Sequence, residues 1–366
     1  MMKTGNNFII AGGGTGGHIF PAIAIANAIK CIAPESNFLF IGAKGKMEMD
    51  KIPQAGFDII GLSISGFDRG SLIKNLALPF KIVKSFLQVA KTFRQFKPHA
   101  VIGVGGYSTF PVLKYAQFKK IPTFIHEANS FAGKSNIMLG KNASMIFTAT
   151  DGMEKFFPKN KIVISGNPVR SVIAESSISK TQGLDFFGLQ KDKKTVLVVG
   201  GSLGAKSVNE ALLKNFDLFQ QHDLQLIWQT GKTYVEKARA IAAGNNNIYL
   251  SDYIANMEYA YAASDVVISR SGAMSIAELC IVKKPVVFVP YPYAAEDHQM
   301  VNAKKLEEMR AAWIVEDKNA QDQLVPTAIQ LIEDEAEQKK MKDNISKLAV
   351  RNADELIAKK IINFLN

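Results

Sequence analysis

The chain has 366 residues, of which 47% are hydrophobic, so at about 150 residues per domain it can form two domains with separate cores. Its composition excludes disordered, collagen-like and disulfide-scaffold proteins. Both cysteines, Cys31 and Cys280, lie in predicted helices, and we expect them to be buried free thiols in a reducing compartment. The net charge of +11 is concentrated in residues 1–165, which carry 20 basic and 8 acidic residues, so this half is expected to face a phosphorylated ligand, a nucleic acid or a membrane.

Short apolar runs, each followed by turn residues and a helical pattern, recur along the chain and are typical of parallel α/β units. Examples are "NFLFIGA", "HAVIGVGGYS" and "KIVISGNP", and the pattern restarts with "TVLVVGGSLGAKSVNEALL" and "PVVFVPYPY". We therefore predict two doubly wound domains, residues 1–164 and 165–342, that meet near "SGNPVRSVI". The last stretch, residues 343–366, has helical spacing and could pack on either domain.

Three predicted strands run into paired glycines at a helix start: "FIIAGGGTGGH" (8–18), "VIGVGGYS" (101–108) and "VLVVGGSLGA" (196–205). Backbone N–H groups at such a helix start bind anions. The first loop resembles a dinucleotide fingerprint, but a histidine begins the helix and no clear acid ends the next strand, "NFLFIGAK", which argues against a nicotinamide or flavin cofactor. The glycines could alternatively serve only close packing of strand and helix.

His18 lies at the start of the first predicted helix. The helix dipole disfavours a protonated imidazole there and keeps the ring neutral, as a general base must be. A purely structural histidine is the alternative.

The motif "HEAN" (126–129) follows the apolar run "IPTFI", which predicts a position at the carboxyl end of a strand. Glu127 is the only acid between Asp68 and Asp151, and we expect it to orient a histidine or bind a sugar hydroxyl. Capping of the next helix by Asn129 is the alternative.

The second half carries its own polar turns. Ser202, in "GGSLGA", offers a hydroxyl and neighbouring N–H groups to a phosphate, and Arg170, in "GNPVR", can reach a diphosphate with its planar guanidinium. Glu278, one to two turns into the helix after "SRSG", can accept both hydroxyls of a ribose, unless it is a solvated helix residue. "EDHQMVNA" (296–303) adds further polar side chains.

Residues 69–97 hold seven basic and no acidic residues interleaved with apolar ones. Such a stretch can lie in the interface of an anionic membrane, and a core-facing helix with a solvated basic face is the alternative. No run of 18 uncharged apolar residues predicts a membrane span. We expect the membrane patch to comprise Leu72, Ile73, Leu76, Phe80, Lys81 and Lys84.

Several motifs are missing from the sequence. It contains no DxD, CxxC or HExxH, so we predict no metal and no cofactor. Aromatic-interleaved RNA-binding motifs are also missing, and we predict no nucleic-acid partner.

Together these motifs resemble the MurG family, the UDP-N-acetylglucosamine:N-acetylmuramyl-(pentapeptide) pyrophosphoryl-undecaprenol N-acetylglucosaminyltransferases of bacterial peptidoglycan synthesis. The resemblance covers nearly the whole chain in order. It implies a GT-B fold, in which two Rossmann-like domains face each other across a cleft, with the acceptor on the first, UDP-GlcNAc mainly on the second, and the final helix packed back on the first. The motifs are "GGGTGGHIFPAIAIA", "GGYSTFP", "HEANSFAGKSN", "GNPVR", "GGSLGAKSVN", "YIANM", "SRSGAMSIAE" and "DHQMVNA".

The resemblance also implies residue roles. The backbone of Ile254 reads uracil, Glu278 binds ribose and Gln299 reads the sugar, while Asn129 and Asn209 match polar positions near it. Two departures reduce the expected sugar contacts: Ala128 replaces a frequent glutamine, and Met300 follows Gln299 where some members have a second glutamine. The implied UDP-GlcNAc site comprises Thr15, Gly16, Gly17, Asn129, Arg170, Ser202, Ile254, Glu278 and Gln299. The acceptor's diphosphate is assigned to Gly13, Gly14, Gly105, Gly106 and Tyr107.

The implied reaction makes His18 and Glu127 the catalytic residues of an inverting, metal-independent transferase. Its partners would be UDP-GlcNAc, undecaprenyl-pyrophosphoryl-MurNAc-pentapeptide and anionic lipids, at the cytoplasmic face of the bacterial inner membrane. Another GT-B enzyme, such as a UDP-GlcNAc 2-epimerase or a glycolipid glycosyltransferase, is one alternative. A non-catalytic scaffold at the membrane surface is another.

Overall fold

The computed structural model describes residues 5–64, 78–201, 204–294 and 297–366 and divides the chain into two compact units. The first unit comprises Met1–Arg170 and Asn352–Asn366, and the second comprises Ser171–Arg351. The strands are β1 (Asn7–Gly12), β2 (Asn37–Ala43), β3 (Asp58–Leu62), β4 (Ala100–Gly105), β5 (Thr123–Glu127), β6 (Met145–Thr148), β7 (Ile162–Ile164), β8 (Thr195–Val199), β9 (Gln225–Gln229), β10 (Ile248–Ser251), β11 (Val266–Ser269), β12 (Val286–Phe288) and β13 (Trp313–Ile314).

Most of the strands in the described residues are followed by one or more helices. In the first unit they are α1 (Gly16–Ile32), α2 (Glu48–Gln54), α3 (Leu78–Phe96), α4 (Thr109–Phe118) and α5 (Lys134–Gly140). The second unit holds α6 (Ser171–Ala174), α7 (Lys180–Phe187), α8 (Lys206–Lys214), α9 (Phe216–Gln221), α10 (Val235–Ala242), α11 (Met257–Ala263), α12 (Ala273–Val282), α13 (His298–Glu308), α14 (Ala320–Glu333) and α15 (Glu335–Ser346). Helix α16 (Ala353–Leu365) returns to the first unit, and 3-10 turns occupy Met153–Lys155, Lys159–Lys161 and Asp317–Asn319.

The first unit is built on a parallel sheet in the order β3-β2-β1-β4-β5-β6-β7. Both faces of this sheet are covered, which favours a continuous apolar run over an alternating pattern. Strand β1, "NFIIAG", has such a run. Phe8 and Ile10 pack on one face in a cluster that includes α1 and α16, while Ile9 and Ala11 pack on the other in a cluster that includes α3 and α4. The core therefore lies on both sides of the strand that leads into the first glycine loop.

The second unit repeats this arrangement with a parallel sheet in the order β10-β9-β8-β11-β12-β13. Its core is centred on Trp228, which is fully buried among residues of β8, α8 and α14. In each unit the strand order reverses once, between β1 and β4 and between β8 and β11. Ligands of open α/β sheets bind at the carboxyl ends of the strands beside such a reversal, which is where the paired-glycine loops of this chain lie.

Candidate functional site

The loop between β1 and α1 places His18 in the first turn of α1, with its ring folded back on the loop. The ring Nδ1 lies 3.0 Å from the carbonyl oxygen of Gly13. A carbonyl oxygen only accepts hydrogen bonds, so Nδ1 carries the hydrogen and, in the neutral ring, Nε2 keeps its lone pair. The geometry therefore leaves Nε2 as the basic atom, which is the state that a general base needs.

The second glycine loop, after β4, packs directly against the first. Gly105 (φ +99°) lies beside the His18 ring, because a Cβ built on it would be 2.7 Å from both Nε2 and Cδ2. A Cβ on Gly106 (φ +94°) would be 2.5 Å from the carbonyl oxygen of Gly13. Tyr107, next in the loop, is 54% exposed. The predicted residues of both loops are thus brought together around His18.

Glu48, at the start of α2, is a loop contact that sequence reasoning missed. Its carboxylate accepts hydrogen bonds from the N–H of Gly14 (2.7 Å) and the N–H of Ala43 (3.0 Å), although the residue is only 1% exposed. The N–H of Gly13 is bonded to the carbonyl oxygen of Gly105 (3.2 Å). The N–H groups of Gly13 and Gly14, both predicted to bind a diphosphate, already have acceptors in this structure.

The "HEAN" motif differs from the sequence expectation in one respect: His126 and Glu127 belong to β5 itself. They pair in register with Phe147 and Thr148 of β6, so the strand ends two residues later than predicted. His126 is 1% exposed. Burial lowers the pKa of His126 to about 4, so this imidazole is neutral near neutral pH.

The carboxylate of Glu127 holds the loop that follows β5. Oε1 accepts from the N–H and the side-chain amide of Asn129, and Oε2 accepts from the N–H of Gly133 and the side-chain amide of Asn136, at 2.8–3.3 Å. Glu127 is 4% exposed, and the hydrogen bonds of its carboxylate within the described chain go to this loop and to the first turn of α5, not to His18. This geometry favours a positioning role for Glu127, with Asn129 as the side chain it holds.

Arg170, the last residue of the first unit, lies against helix α1. Its guanidinium carbon is 4.4 Å from the centre of the Phe20 ring, a cation–π contact. Phe20 is two residues from His18 on the same helix. Arg170 is therefore held at the His18 end of α1.

In the second unit, Ile254 and Gln299 are fixed by hydrogen bonds. The N–H of Ile254 donates to Oε1 of Gln229 (2.9 Å), which leaves its carbonyl as the polar backbone group available to a base. Oε1 of Gln299 accepts from the N–H of Tyr291 (3.0 Å), so the amide is oriented with Nε2 as its donor. Ser271 also donates from its hydroxyl to the carbonyl oxygen of Gln299 (2.8 Å).

Two further predicted residues of this unit are buried. Glu278 is 7% exposed on α12, and its Oε2 accepts from the Tyr261 hydroxyl at 2.9 Å. Asn209, matched to a position near the donor sugar, uses both polar groups of its side chain in the core, donating to Thr230 and accepting from Trp228. Ser202 lies outside the described residues.

Arg270 is a second residue that the sequence did not single out. It is 9% exposed and donates to the carbonyl oxygens of Val289 and Pro290, at 2.9 and 3.3 Å, and to Asp317 at 2.5 Å. Those carbonyls immediately precede Tyr291, whose N–H holds Gln299. Arg270 thus supports the loop that orients the predicted sugar-reading side chain.

The predicted membrane patch is only partly within the described chain, because Leu72, Ile73 and Leu76 lie outside it. The remainder falls on α3, where Phe80 is 80% exposed and Lys84 is also exposed, close to Lys81. Over the described residues, no helix is long and apolar enough to cross a membrane.

Comparison with known proteins identifies the family. Glycosyltransferase family 28 N-terminal and C-terminal domains match residues 8–148 and 195–357. The UDP-N-acetylglucosamine–N-acetylmuramyl-(pentapeptide) pyrophosphoryl-undecaprenol N-acetylglucosamine transferase of Parabacteroides distasonis is 48% identical over 98% of both chains.

Solved structures agree with this match. The crystal structure of Acinetobacter baumannii MurG has a TM-score of 0.74 at 28% identity and covers 98% of this chain and 99% of that one. A UDP-N-acetylglucosamine 2-epimerase structure has a TM-score of 0.68 at 16% identity over 99% and 96%, a likeness of fold alone. The predicted GT-B fold class is confirmed, and the chain belongs to glycosyltransferase family 28, in its MurG branch.

Proposed function

We propose that the chain transfers N-acetylglucosamine from UDP-N-acetylglucosamine to the C4 hydroxyl of undecaprenyl-pyrophosphoryl-MurNAc-pentapeptide. These substrates are the ones in the name of the Parabacteroides distasonis relative, which matches the chain from end to end. The observation that carries the proposal is the hydrogen bond from His18 Nδ1 to the Gly13 carbonyl, because it supplies a base at a glycine loop beside a strand reversal.

In this reaction Nε2 of His18 removes the proton of the C4 hydroxyl as the oxygen attacks C1 of N-acetylglucosamine. The bond between C1 and the UDP oxygen breaks on the opposite face, so the product is a β-1,4-linked disaccharide and the configuration at C1 is inverted. The proton ends on His18, and the electron pair of the broken bond leaves on UDP. Glu127 supports this chemistry through Asn129 and the loop that follows it.

The donor contacts follow from the chemistry of each fixed group. The Ile254 carbonyl can accept the N3–H of uracil, and the Glu278 carboxylate can accept hydrogen bonds from ribose hydroxyls. Nε2 of Gln299 can donate to a sugar hydroxyl. Arg170 would stabilise the negative charge that develops on the departing diphosphate. Ser202, which lies outside the described residues, remains a predicted phosphate contact.

For the acceptor, we propose attachment to the cytoplasmic face of the bacterial inner membrane through α3. An undecaprenyl chain is held in the bilayer, so the enzyme must work at its surface. The exposed apolar residues of α3 and its lysines are suited to that interface, where each basic residue near anionic lipid contributes about 1 kcal/mol.

The test is the release of UDP from UDP-GlcNAc, with and without a short-chain analogue of the acceptor, in the presence of EDTA. We expect release that requires the acceptor, resists EDTA and falls about 10²- to 10⁴-fold in His18→Ala, which is the usual contribution of a general base. His222→Ala is the matched control, because that imidazole pairs with Glu333 near the surface of the second unit. It should leave the rate unchanged.

Other outcomes would identify an alternative. Release without an acceptor, or formation of an epimer, would indicate a different GT-B enzyme. Thermal stabilisation by UDP-GlcNAc without any turnover would support the scaffold. A full rate in His18→Ala would remove His18 as the base.

A further inference from the structure

We propose that Glu48 is a positioning residue for His18 and acts through the peptide group between Gly13 and Gly14. The inference deepens the proposed function and rests on it, because it concerns the side chain assigned there as the base. Glu48 begins α2, 30 residues after His18 in the sequence, and nothing in the motif pattern marks it.

The Glu48 carboxylate connects the ends of two neighbouring strands. Oε1 accepts from the N–H of Ala43 at the end of β2, and Oε2 accepts from the N–H of Gly14 just beyond β1. A Cβ on Gly13 would collide with this carboxylate, and one on Gly42 would lie 2.5 Å from Cγ of Glu48. A buried carboxylate needs such donors, and both glycines make room for it.

The coupling to His18 passes through one peptide group. The C=O of Gly13 and the N–H of Gly14 belong to the same planar unit. Its N–H donates to Glu48 (2.7 Å), and its carbonyl oxygen accepts from Nδ1 of His18 (3.0 Å). A rotation of this peptide plane would break both hydrogen bonds together, so Glu48 holds the carbonyl in the orientation that His18 needs.

The same arrangement affects the chemistry of the ring. A carboxylate that accepts from the N–H polarises the peptide and makes its carbonyl a stronger acceptor. That carbonyl fixes the hydrogen of His18 on Nδ1 and stabilises the protonated ring that forms during the reaction. Glu48 therefore acts on His18 as a carboxylate acts on the histidine base that it hydrogen-bonds. The difference is that a peptide group lies between the two side chains.

Glu48→Gln tests the idea because both partners of the carboxylate are donors. A glutamine offers one oxygen and one NH₂ group, so the N–H of either Gly14 or Ala43 faces another donor. Asp50→Asn is the matched control: it is exposed on the same helix, loses the same charge, and its side chain has no hydrogen bond to the rest of the described chain. Glu48→Asp keeps the charge but shortens the reach.

The first readout is the tautomer of His18, measured by ¹⁵N NMR on histidine-labelled protein without substrate, where His18→Ala assigns one of the five imidazoles. We expect hydrogen on Nδ1 in the wild type and in Asp50→Asn. In Glu48→Gln we expect a mixture of both tautomers, and in Glu48→Asp a smaller change. Hydrogen on Nε2 in the wild type would overturn the proposal without any variant.

The second readout is kinetic. We expect kcat to fall about 10- to 100-fold in Glu48→Gln, as for a misplaced catalytic group, with less than about a threefold change in KM for UDP-GlcNAc. The acid limb of the pH profile of kcat/KM should move to lower pH, because the protonated ring loses a strong acceptor. Loss of thermal stability with tautomer and pH profile unchanged would make Glu48 a merely structural residue.

Failure of the proposed function would look different. If wild-type protein releases no UDP with any acceptor analogue, but its His18 tautomer depends on Glu48, the transferase proposal fails and the positioning role stands. If the wild type is active and the tautomer ignores Glu48, the reverse holds.

Discussion

At the scale of single residues, the position of the His18 ring depends on a glycine in another loop. Gly105 has φ +99°, and it lies so close to the imidazole that a Cβ at this position would overlap the ring. It therefore meets two separate requirements, a left-handed backbone and space for the ring. These requirements can be tested apart, because other glycines of the first unit meet only the first.

Gly105→Ala is expected to lower kcat at least about tenfold, because its Cβ would push the ring away from the position in which Nε2 faces a substrate. The left-handed backbone alone should cost about 1–2 kcal/mol of stability. Gly45→Ala is the control, since Gly45 has φ +69° and nothing lies within 4 Å of the added Cβ. Gly105→Ala should lose at least as much stability as Gly45→Ala in thermal unfolding, because its Cβ also displaces the ring, and only Gly105→Ala should lose activity. Equal activity in the two would contradict the contact with His18.

For single residues, the sequence indicates the chemical role of a side chain better than it indicates its hydrogen-bond partners. His18 could be proposed as a base because the dipole at a helix start disfavours a protonated imidazole. The group that its Nδ1 contacts, the Gly13 carbonyl, also lies only five residues away in the sequence. Glu48 could not be found, because its two N–H partners are brought to it by the pairing of β1 with β2. The sequence shows that Glu127 is the only acid in a long basic segment. Only the folded chain shows that its oxygens accept hydrogen bonds from Asn129, Gly133 and Asn136.

At the scale of elements, helix α3 presents apolar side chains on two faces. Val89 and Phe93 are buried in the first unit, and Phe93 stacks edge-on against Tyr115 of α4 at 5.1 Å. The exposed set occupies positions i, i+3 and i+7 of the same helix and therefore forms one stripe. It comprises Phe80 (80% exposed), Val83 (61%) and Leu87 (68%).

We expect the triple variant Phe80→Ser, Val83→Ser, Leu87→Ser to bind anionic vesicles at least about tenfold more weakly, since three side chains lose their burial in the interface. Vesicle sedimentation measures this binding, and the far-UV circular dichroism spectrum should stay the same because the stripe is solvent-exposed. Ile241→Ser removes an exposed apolar side chain from the second unit and should leave binding unchanged. Unchanged binding of the triple variant would mean that α3 is not the membrane face.

Some edge strands were not predicted from the sequence. Strands β3 and β13 lie at the edges of their sheets and match none of the predicted runs, whereas the edge strand β7 lies in the predicted run "KIVISGNP". Strand β3 reads "DIIGL", with an acid and a glycine among few apolar residues, and β13 has only two residues. Central strands such as β2 matched their apolar run from end to end, because burial on both faces demands an uninterrupted pattern.

At the scale of the whole molecule, the fold of the first unit depends on the last residues of the chain. Helix α16 contributes Ile357 and Ile361, both fully buried, to the cluster that includes Phe8 and Ile25. The apolar spacing of this segment predicted a helix but could not decide which core it would join, since either domain offers apolar surface. The sheet order that places two glycine loops side by side is likewise a property of packing and not of any local pattern.

The dependence on α16 predicts that the two units can be made to unfold separately. Replacing both Ile357 and Ile361 with alanine should remove several kcal/mol, at about 2–5 kcal/mol for each buried isoleucine, from the first unit alone. The chain has two tryptophans, Trp228 and Trp313, and both lie in the second unit. In urea, the circular dichroism of the double variant should therefore begin to change at a lower concentration than tryptophan fluorescence does. Lys360→Ala, an exposed substitution on the same helix, is the control and should leave both curves where they are in the wild type. If fluorescence shifted together with circular dichroism in the double variant, the second unit would depend on the first, and the two cores would form one cooperative structure.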